Sequence, residues 1–154
     1  MPINQDFSDL FAELNGVDAR YLLISGYALA VHAEPRFTKD LDIWIDPQQD
    51  NALRVPDALK AFGAPMHVFS QGDLASPGMV IQLGVPPSRI DLVTSIDGVT
   101  FDEAWSARTQ TTYGAQSVPV IGLAHLIQNK RASGRPQDLA DVALLERHAS
   151  EPPD

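Results

Sequence analysis

The sequence predicts a mixed α/β (α+β) fold, and three observations carry that expectation. An alternating run over 40–46 and a run rich in Ile, Leu, Val and Thr over 89–95 read as strands. Helical patterns fall around such runs in mixed order rather than as simple βαβ units. The long helical patterns cluster at the end and give a helical C-terminal segment. The 154 residues suit a single domain, expected over 1–150, with 151–154 as a frayed tail. A composition of 44% hydrophobic and 20% charged residues supports a real core and excludes overall disorder.

The elements follow in order. Phe7, Leu10, Phe11 and Leu14 stand at helical spacing over 6–14, and Gly16 marks the stop. The short apolar run 20–24 reads as a buried strand, and Ser25-Gly26 as a turn. Residues 27–34 are small and apolar, a short helix that Pro35 closes. After the strand at 40–46, residues 47–62 read as a helix, kinked or split at Pro56 and ended by Gly63. The runs 66–69 and 79–83 are strand candidates, and 89–95 is a stronger one. Asp97-Gly98 marks a turn and 102–108 a short helix. Residues 109–121 suit a hairpin turning near Gly114. Two helices over 123–132 and 137–148 are separated by Gly134-Arg135-Pro136, with Pro136 suited to a first turn.

Charge narrows the function classes. Eleven basic residues face twenty acidic ones, a net charge of −9. Broad duplex DNA binding draws on clustered basic charge and is not expected. The chain has no cysteine, which removes disulfides, thiolate zinc sites and cysteine nucleophiles. That composition fits a reducing compartment, and the first six residues lack the basic and apolar regions of a secretory signal, so a cytoplasmic location is expected. The uncharged stretches 74–88 and 114–129 are broken by prolines and polar residues, and neither reads as a membrane span.

The sharpest local feature is Asp40-Leu41-Asp42-Ile43-Trp44-Ile45-Asp46. A strand sends alternate side chains to opposite faces, so Asp40 and Asp42 share one face while Leu41, Ile43 and Ile45 point to the core. Two carboxylates about 7 Å apart along a strand can grip divalent cations. The same pattern also suits a half-buried strand with a solvated polar face. Asp91, in Arg89-Ile90-Asp91-Leu92-Val93, is a lone carboxylate in a strand-forming run. It either faces water or completes a two-metal site beside the first pair. Ser25-Gly26, between a strand and a helix, is either an ordinary turn or a place where backbone N–H groups meet a phosphate.

Taken in order, Ser25-Gly26-Tyr27-Ala28-Leu29-Ala30-Val31-His32, Pro35-Arg36-Phe37-Thr38-Lys39-Asp40-Leu41-Asp42, Arg89-Ile90-Asp91-Leu92 and the run 129–141 resemble the polymerase-β-type nucleotidyltransferase superfamily. The resemblance is to its small bacterial members, the minimal nucleotidyltransferases and the AbiEii-toxin-like proteins. It implies a mixed sheet flanked by helices, and two Mg²⁺ ions (or Mn²⁺) held by Asp40, Asp42 and Asp91. It implies transfer of a nucleoside monophosphate from an NTP to an acceptor hydroxyl, with release of pyrophosphate. The Ser25-Gly26 turn would bind the β- and γ-phosphates, with Lys130 and Arg135 as further phosphate contacts. The acceptor it implies is a tRNA, a protein or a small molecule, and a cognate antitoxin is a further partner of such chains. The chain departs from the family pattern in having Ser25-Gly26 where Gly-Gly or Gly-Ser is usual. It also has Gln137 where a basic residue is usual.

Several residues carry two readings. Arg36 either reaches a phosphate or pairs with a carboxylate. Thr38 either orients Asp40 or caps the start of the strand. Lys130 either contacts phosphate or sits at the solvated end of a helix, and Arg135 either contacts phosphate or forms a helix-start ion pair with Asp138 or Asp141. Trp44 either stacks on a base or fills space, and His32 suits core packing. The alternative function is a catalytically degenerate nucleotidyltransferase fold serving as a binding or toxin–antitoxin module. An Asp-x-Asp phosphatase wants Thr or Val where Trp44 stands.

Overall fold

The computed structural model describes residues 3–36 and 38–150, so the tail expected over 151–154 lies outside the described residues. Asn4 starts the first helix. Its side-chain oxygen accepts from the N–H groups of Asp6 at 2.9 Å and Phe7 at 3.3 Å, donors that a first helical turn leaves over. That helix, α1 (Gln5–Gly16), buries Phe7, Leu10, Phe11 and Leu14, the stripe that their spacing predicts.

The described strands are β1 (Tyr21–Leu23), β2 (Leu41–Ile45), β3 (Val80–Leu83), β4 (Ile90–Val93), β5 (Thr109–Tyr113) and β6 (Gln116–Val120). They form one six-stranded sheet in the order β3-β4-β2-β1-β6-β5. β2 runs parallel to β4 and β1 parallel to β6, while the other neighbours are antiparallel. The sheet is therefore mixed, as expected. Leu41, Ile43 and Ile45 are each 0% exposed, so one face of β2 is wholly core. β5 and β6 make the expected hairpin, with Gly114 in the left-handed region at φ 58°.

The helices that follow α1 are α2 (Ser25–His32), α3 (Gln49–Phe62), α4 (Gln71–Leu74), α5 (Phe101–Ser106), α6 (Leu123–Ser133) and α7 (Pro136–Ser150). α1 packs on α3, and α6 packs on α7. Gly134 ends α6 in the left-handed region, and Pro136 opens α7. No helix among the described residues is long and apolar enough to cross a membrane.

Three local expectations are corrected. Residues 66–69 are not a strand: Met66–Val68 form a single 3-10 turn. Their apolar letters suggested burial, yet Met66 is 37% and Val68 48% exposed. The run is also cut short at Ser70, which starts α4 with a reciprocal cap: Ser70 Oγ accepts from Asp73 N–H at 3.1 Å, and Asp73 accepts from Ser70 N–H at 2.9 Å. α3 is not split at Pro56; it continues through it. Ala52, Val55, Ala58 and Leu59 are buried along one side and hold both halves on the core. Finally, Ser25-Gly26 is not a turn ahead of a helix but the first two residues of α2 itself.

Candidate functional site

The strands that carry the acidic motifs are neighbours in register. In the parallel pair of β2 and β4, Asp42 stands opposite Asp91, with Leu41 opposite Ile90 and Ile43 opposite Leu92. Alternation then puts Asp42 and Asp91 together on the face away from the Leu41 and Ile43 core. Asp40, one residue ahead of β2, is joined to them through Arg89. The Arg89 guanidinium lies 3.3 Å from Asp91 Oδ1 through Nε and 3.2 Å from Asp91 Oδ2 through Nη2. Its Nε is also 3.8 Å from Asp40 Oδ2. Sequence reasoning assigned Arg89 no role. The usable signal was its place two residues before Asp91 on a strand, which puts both on one face.

Burial pushes the Asp42 carboxyl up, and the charges of Asp91 and Asp40 push it the same way; a hydrogen bond from Ser25 and the Arg89 charge pull it partly back. Three carboxylates with oxygen donors only are the set that a hard divalent cation takes. Crowded like charge on Asp42 is what such an ion would relieve. The residues present therefore fit Mg²⁺ or Mn²⁺ in kind. In the arrangement seen here, no group of three or more His, Asp or Glu side chains among the described residues is set to hold an ion; Arg89 engages two of the carboxylates.

Ser25 opens α2 with φ 59°, in the left-handed region. No side chain caps this helix, and the first N–H groups of a helix have no acceptor within it. Gly26 is required by a close approach: a Cβ there would lie 2.8 Å from Thr38 Cγ2 and 3.1 Å from Thr38 Oγ1. Thr38 also donates its hydroxyl to the Arg36 carbonyl at 3.3 Å. Ser25, Asp42 and Asp91 line a cleft of about 350 Å³, together with Asn129, Lys130 and Arg135 from the α6–α7 hairpin.

The basic candidates are all engaged by two carboxylates of α7. Lys130 is only 6% exposed and reaches Asp141 at 3.0 Å and Asp138 at 3.3 Å. Of its two readings, the solvated helix end is excluded. Its stem is enclosed because α7 folds back over α6 after Gly134. Arg36 pairs with Asp141 at 3.0 Å, and Arg135 with Asp138 at 2.9 Å. Ser133 Oγ also donates to Asp138. Burial pushes the Asp138 carboxyl up, but hydrogen bonds from Ser133 and Arg135 and the Lys130 charge outweigh it and hold it below the ordinary carboxylate range.

Two aromatic and imidazole candidates belong to the scaffold. Trp44 is 1% exposed and meets Phe101 edge-on at 5.1 Å, so it fills space and offers no face for stacking a base. His32 Nε2 donates to the Ile121 carbonyl at 2.7 Å, a hydrogen bond that ties the end of α2 to the residue after β6.

The chain thus sets acidic side chains on adjacent parallel strands of a mixed sheet, with Ser25 at the start of α2 lining the same cleft. The structure is similar to the lincosamide antibiotic adenylyltransferase LnuA with lincomycin bound. The TM-score is 0.58 at 16% identity, covering 93% of this chain and 96% of that one. It is likewise similar to a Thermotoga maritima protein assigned as a nucleotidyltransferase, with a TM-score of 0.58 at 13% identity over 96% and 92% of the two chains. The chain has the polymerase-β-type nucleotidyltransferase fold. By sequence, no family model matches it and no curated protein does.

Proposed function

We propose that this chain is a metal-dependent nucleotidyltransferase, which moves a nucleoside monophosphate from an NTP to an acceptor hydroxyl. The observation that carries the reading is the register pairing of Asp42 with Asp91 beside the uncapped start of α2. Asp40, Asp42 and Asp91 would hold Mg²⁺, which when bound supplies charge to the triphosphate and lowers the barrier to deprotonating the acceptor. Asp91 accepts the acceptor's proton. The freed oxygen attacks the α-phosphorus, the bond from that phosphorus to the bridging oxygen breaks, and pyrophosphate leaves. The first N–H groups of α2 receive the β- and γ-phosphates, favoured by the helix dipole. Lys130 and Arg135 line the same cleft, as does their partner Asp138, and would meet the phosphates by turning from that carboxylate.

The test is incubation with each labelled NTP, Mg²⁺ and a cell extract holding RNA, protein and small molecules. Label should move to one of these classes with the wild type and not with Asp42→Asn. That result also names the acceptor class.

A second reading has its own observation. Arg89 grips Asp91, and Asp138 and Asp141 neutralise the basic residues. Such an arrangement suits a binding module, for instance one partnered with an antitoxin. Nucleotide binding with no pyrophosphate release over the whole extract favours this reading; release that depends on Asp40 excludes it.

A further inference from the structure

The contact between Arg89 and the acidic cluster has a consequence for metal binding. Arg89 directly precedes β4, and its carbonyl accepts from the Leu41 N–H at 3.1 Å. Its backbone is thereby pinned to β2. Its side chain is not pinned in the same way: it is 36% exposed and ends on carboxylates alone among its ion-pair partners. The guanidinium uses a fork of two N–H groups on both oxygens of Asp91, a geometry that suits arginine and not lysine. Those oxygens are the ones a divalent cation would need. A carboxylate that gives both oxygens to a guanidinium has little left for an ion, and the guanidinium charge repels an ion placed beside it.

We propose that Arg89 is the resident counter-cation of the Asp40, Asp42 and Asp91 cluster, holding Asp91 and Asp40 until a divalent ion displaces it. This rests on the reading that these carboxylates bind metal. Arg89 then acts as a positioning residue. It keeps three like charges together in the metal-free chain, and it sets the metal affinity by competing for the same oxygens. On displacement only the side chain moves, because the ladder hydrogen bond to Leu41 holds the backbone. Competition by charge distinguishes this role from simple scaffolding: a scaffold residue, once removed, loosens the metal site, whereas a competitor, once removed, tightens it.

The experiment is titration of the metal-free chain with Mn²⁺, read by the loss of the free-ion paramagnetic resonance signal. The set comprises the wild type, Arg89→Gln and Arg89→Lys. Arg89→Gln should bind Mn²⁺ about tenfold more tightly than the wild type, the order expected for removing one nearby like charge. Arg89→Lys keeps the charge and should fall back toward the wild-type affinity. Equal or weaker binding by a folded Arg89→Gln overturns the inference and leaves the metal-dependent reading standing. No Mn²⁺ binding by any of the three at millimolar ion overturns both. If Arg89→Gln does not fold, the wild type alone decides. The Arg89 Nε–H resonance, assigned by its loss in Arg89→Lys, should be protected from solvent exchange and lose that protection on addition of Mg²⁺. Unchanged protection at saturating Mg²⁺ overturns the inference.

Discussion

Thr38 occupies the space that a side chain at Gly26 would need, with its Cγ2 placed 2.8 Å from where that Cβ would stand. This contact joins the first turn of α2 to the segment leading into Asp40, so the backbone amides and the first carboxylate are set by one packing relation. Gly26→Ala should therefore cost about 1–3 kcal/mol, the usual penalty for overpacking. The cost should shrink in a Thr38→Ala background, where the methyl is gone. Urea unfolding of the two single variants and the double variant measures the coupling. An additive result would show that the two residues do not meet in solution.

Asp42 should oppose stability where it serves function. Burial comes first and the like charges of Asp91 and Asp40 second in raising its carboxyl above the ordinary value. The folded chain then holds that proton more tightly than the unfolded chain. Stability from this group is fully present below the ordinary carboxylate pKa and is lost as pH rises through the raised folded value. Asp42→Asn removes the loss. Without metal, the variant should melt above the wild type at pH 7, and the gain should vanish as the pH drops to the ordinary carboxylate range. Melting curves against pH check both signs.

The Lys130 network should be the largest polar contribution to holding α6 against α7. Lys130 is buried and meets Asp141 and Asp138 at 3.0 and 3.3 Å. Lys130→Met leaves both carboxylates in place without their central cation and should cost ~3–5 kcal/mol, as for other broken buried pairs. The double variant Lys130→Met with Asp141→Asn should recover part of that cost. Denaturant titration reads the difference.

Acid should unfold the same corner of the molecule. Despite burial, the hydrogen bonds from Ser133 and Arg135 and the Lys130 charge keep the Asp138 carboxyl low. Its contribution is fully present above the ordinary carboxylate pKa and is lost as pH falls through the lowered folded value. Asp138→Asn should therefore melt below the wild type at pH 7. The gap should close at acid pH, where both chains carry a neutral side chain at this position. Melting curves of the pair across pH 2–7 test this.

Much of the fold was legible because periodicity reports burial directly. Phe7, Leu10, Phe11 and Leu14 marked α1, and the alternation of Leu41, Ile43 and Ile45 with Asp40 and Asp42 marked β2 and its two faces. The error at 66–69 came from apolar residues that the fold leaves exposed, where composition no longer reports burial. The Ser70 and Asp73 pair was a readable helix start that went unused. For the site, the sequence supplied the candidate residues but not their partners. That Asp42 and Asp91 are strand neighbours, though 48 residues of chain lie between them, depends on the sheet order, which places β4 beside β2. That Lys130 and Arg36 both meet Asp141 depends on how α7 folds back, and no local spacing encodes it.

In the proposed function the Asp42 and Asp91 face binds a nucleoside triphosphate through a divalent ion. The direct measurement is the melting temperature of the wild type and of Asp42→Asn with each NTP, in the presence and absence of Mg²⁺. A ligand at a hundredfold its Kd stabilises a folded chain by about 2.7 kcal/mol, a readily seen shift. The wild type should gain more from NTP with Mg²⁺ than from Mg²⁺ alone or NTP alone, and Asp42→Asn, though folded, should show no such added gain. A wild type that gains nothing from any NTP at millimolar Mg²⁺ would contradict the proposed function.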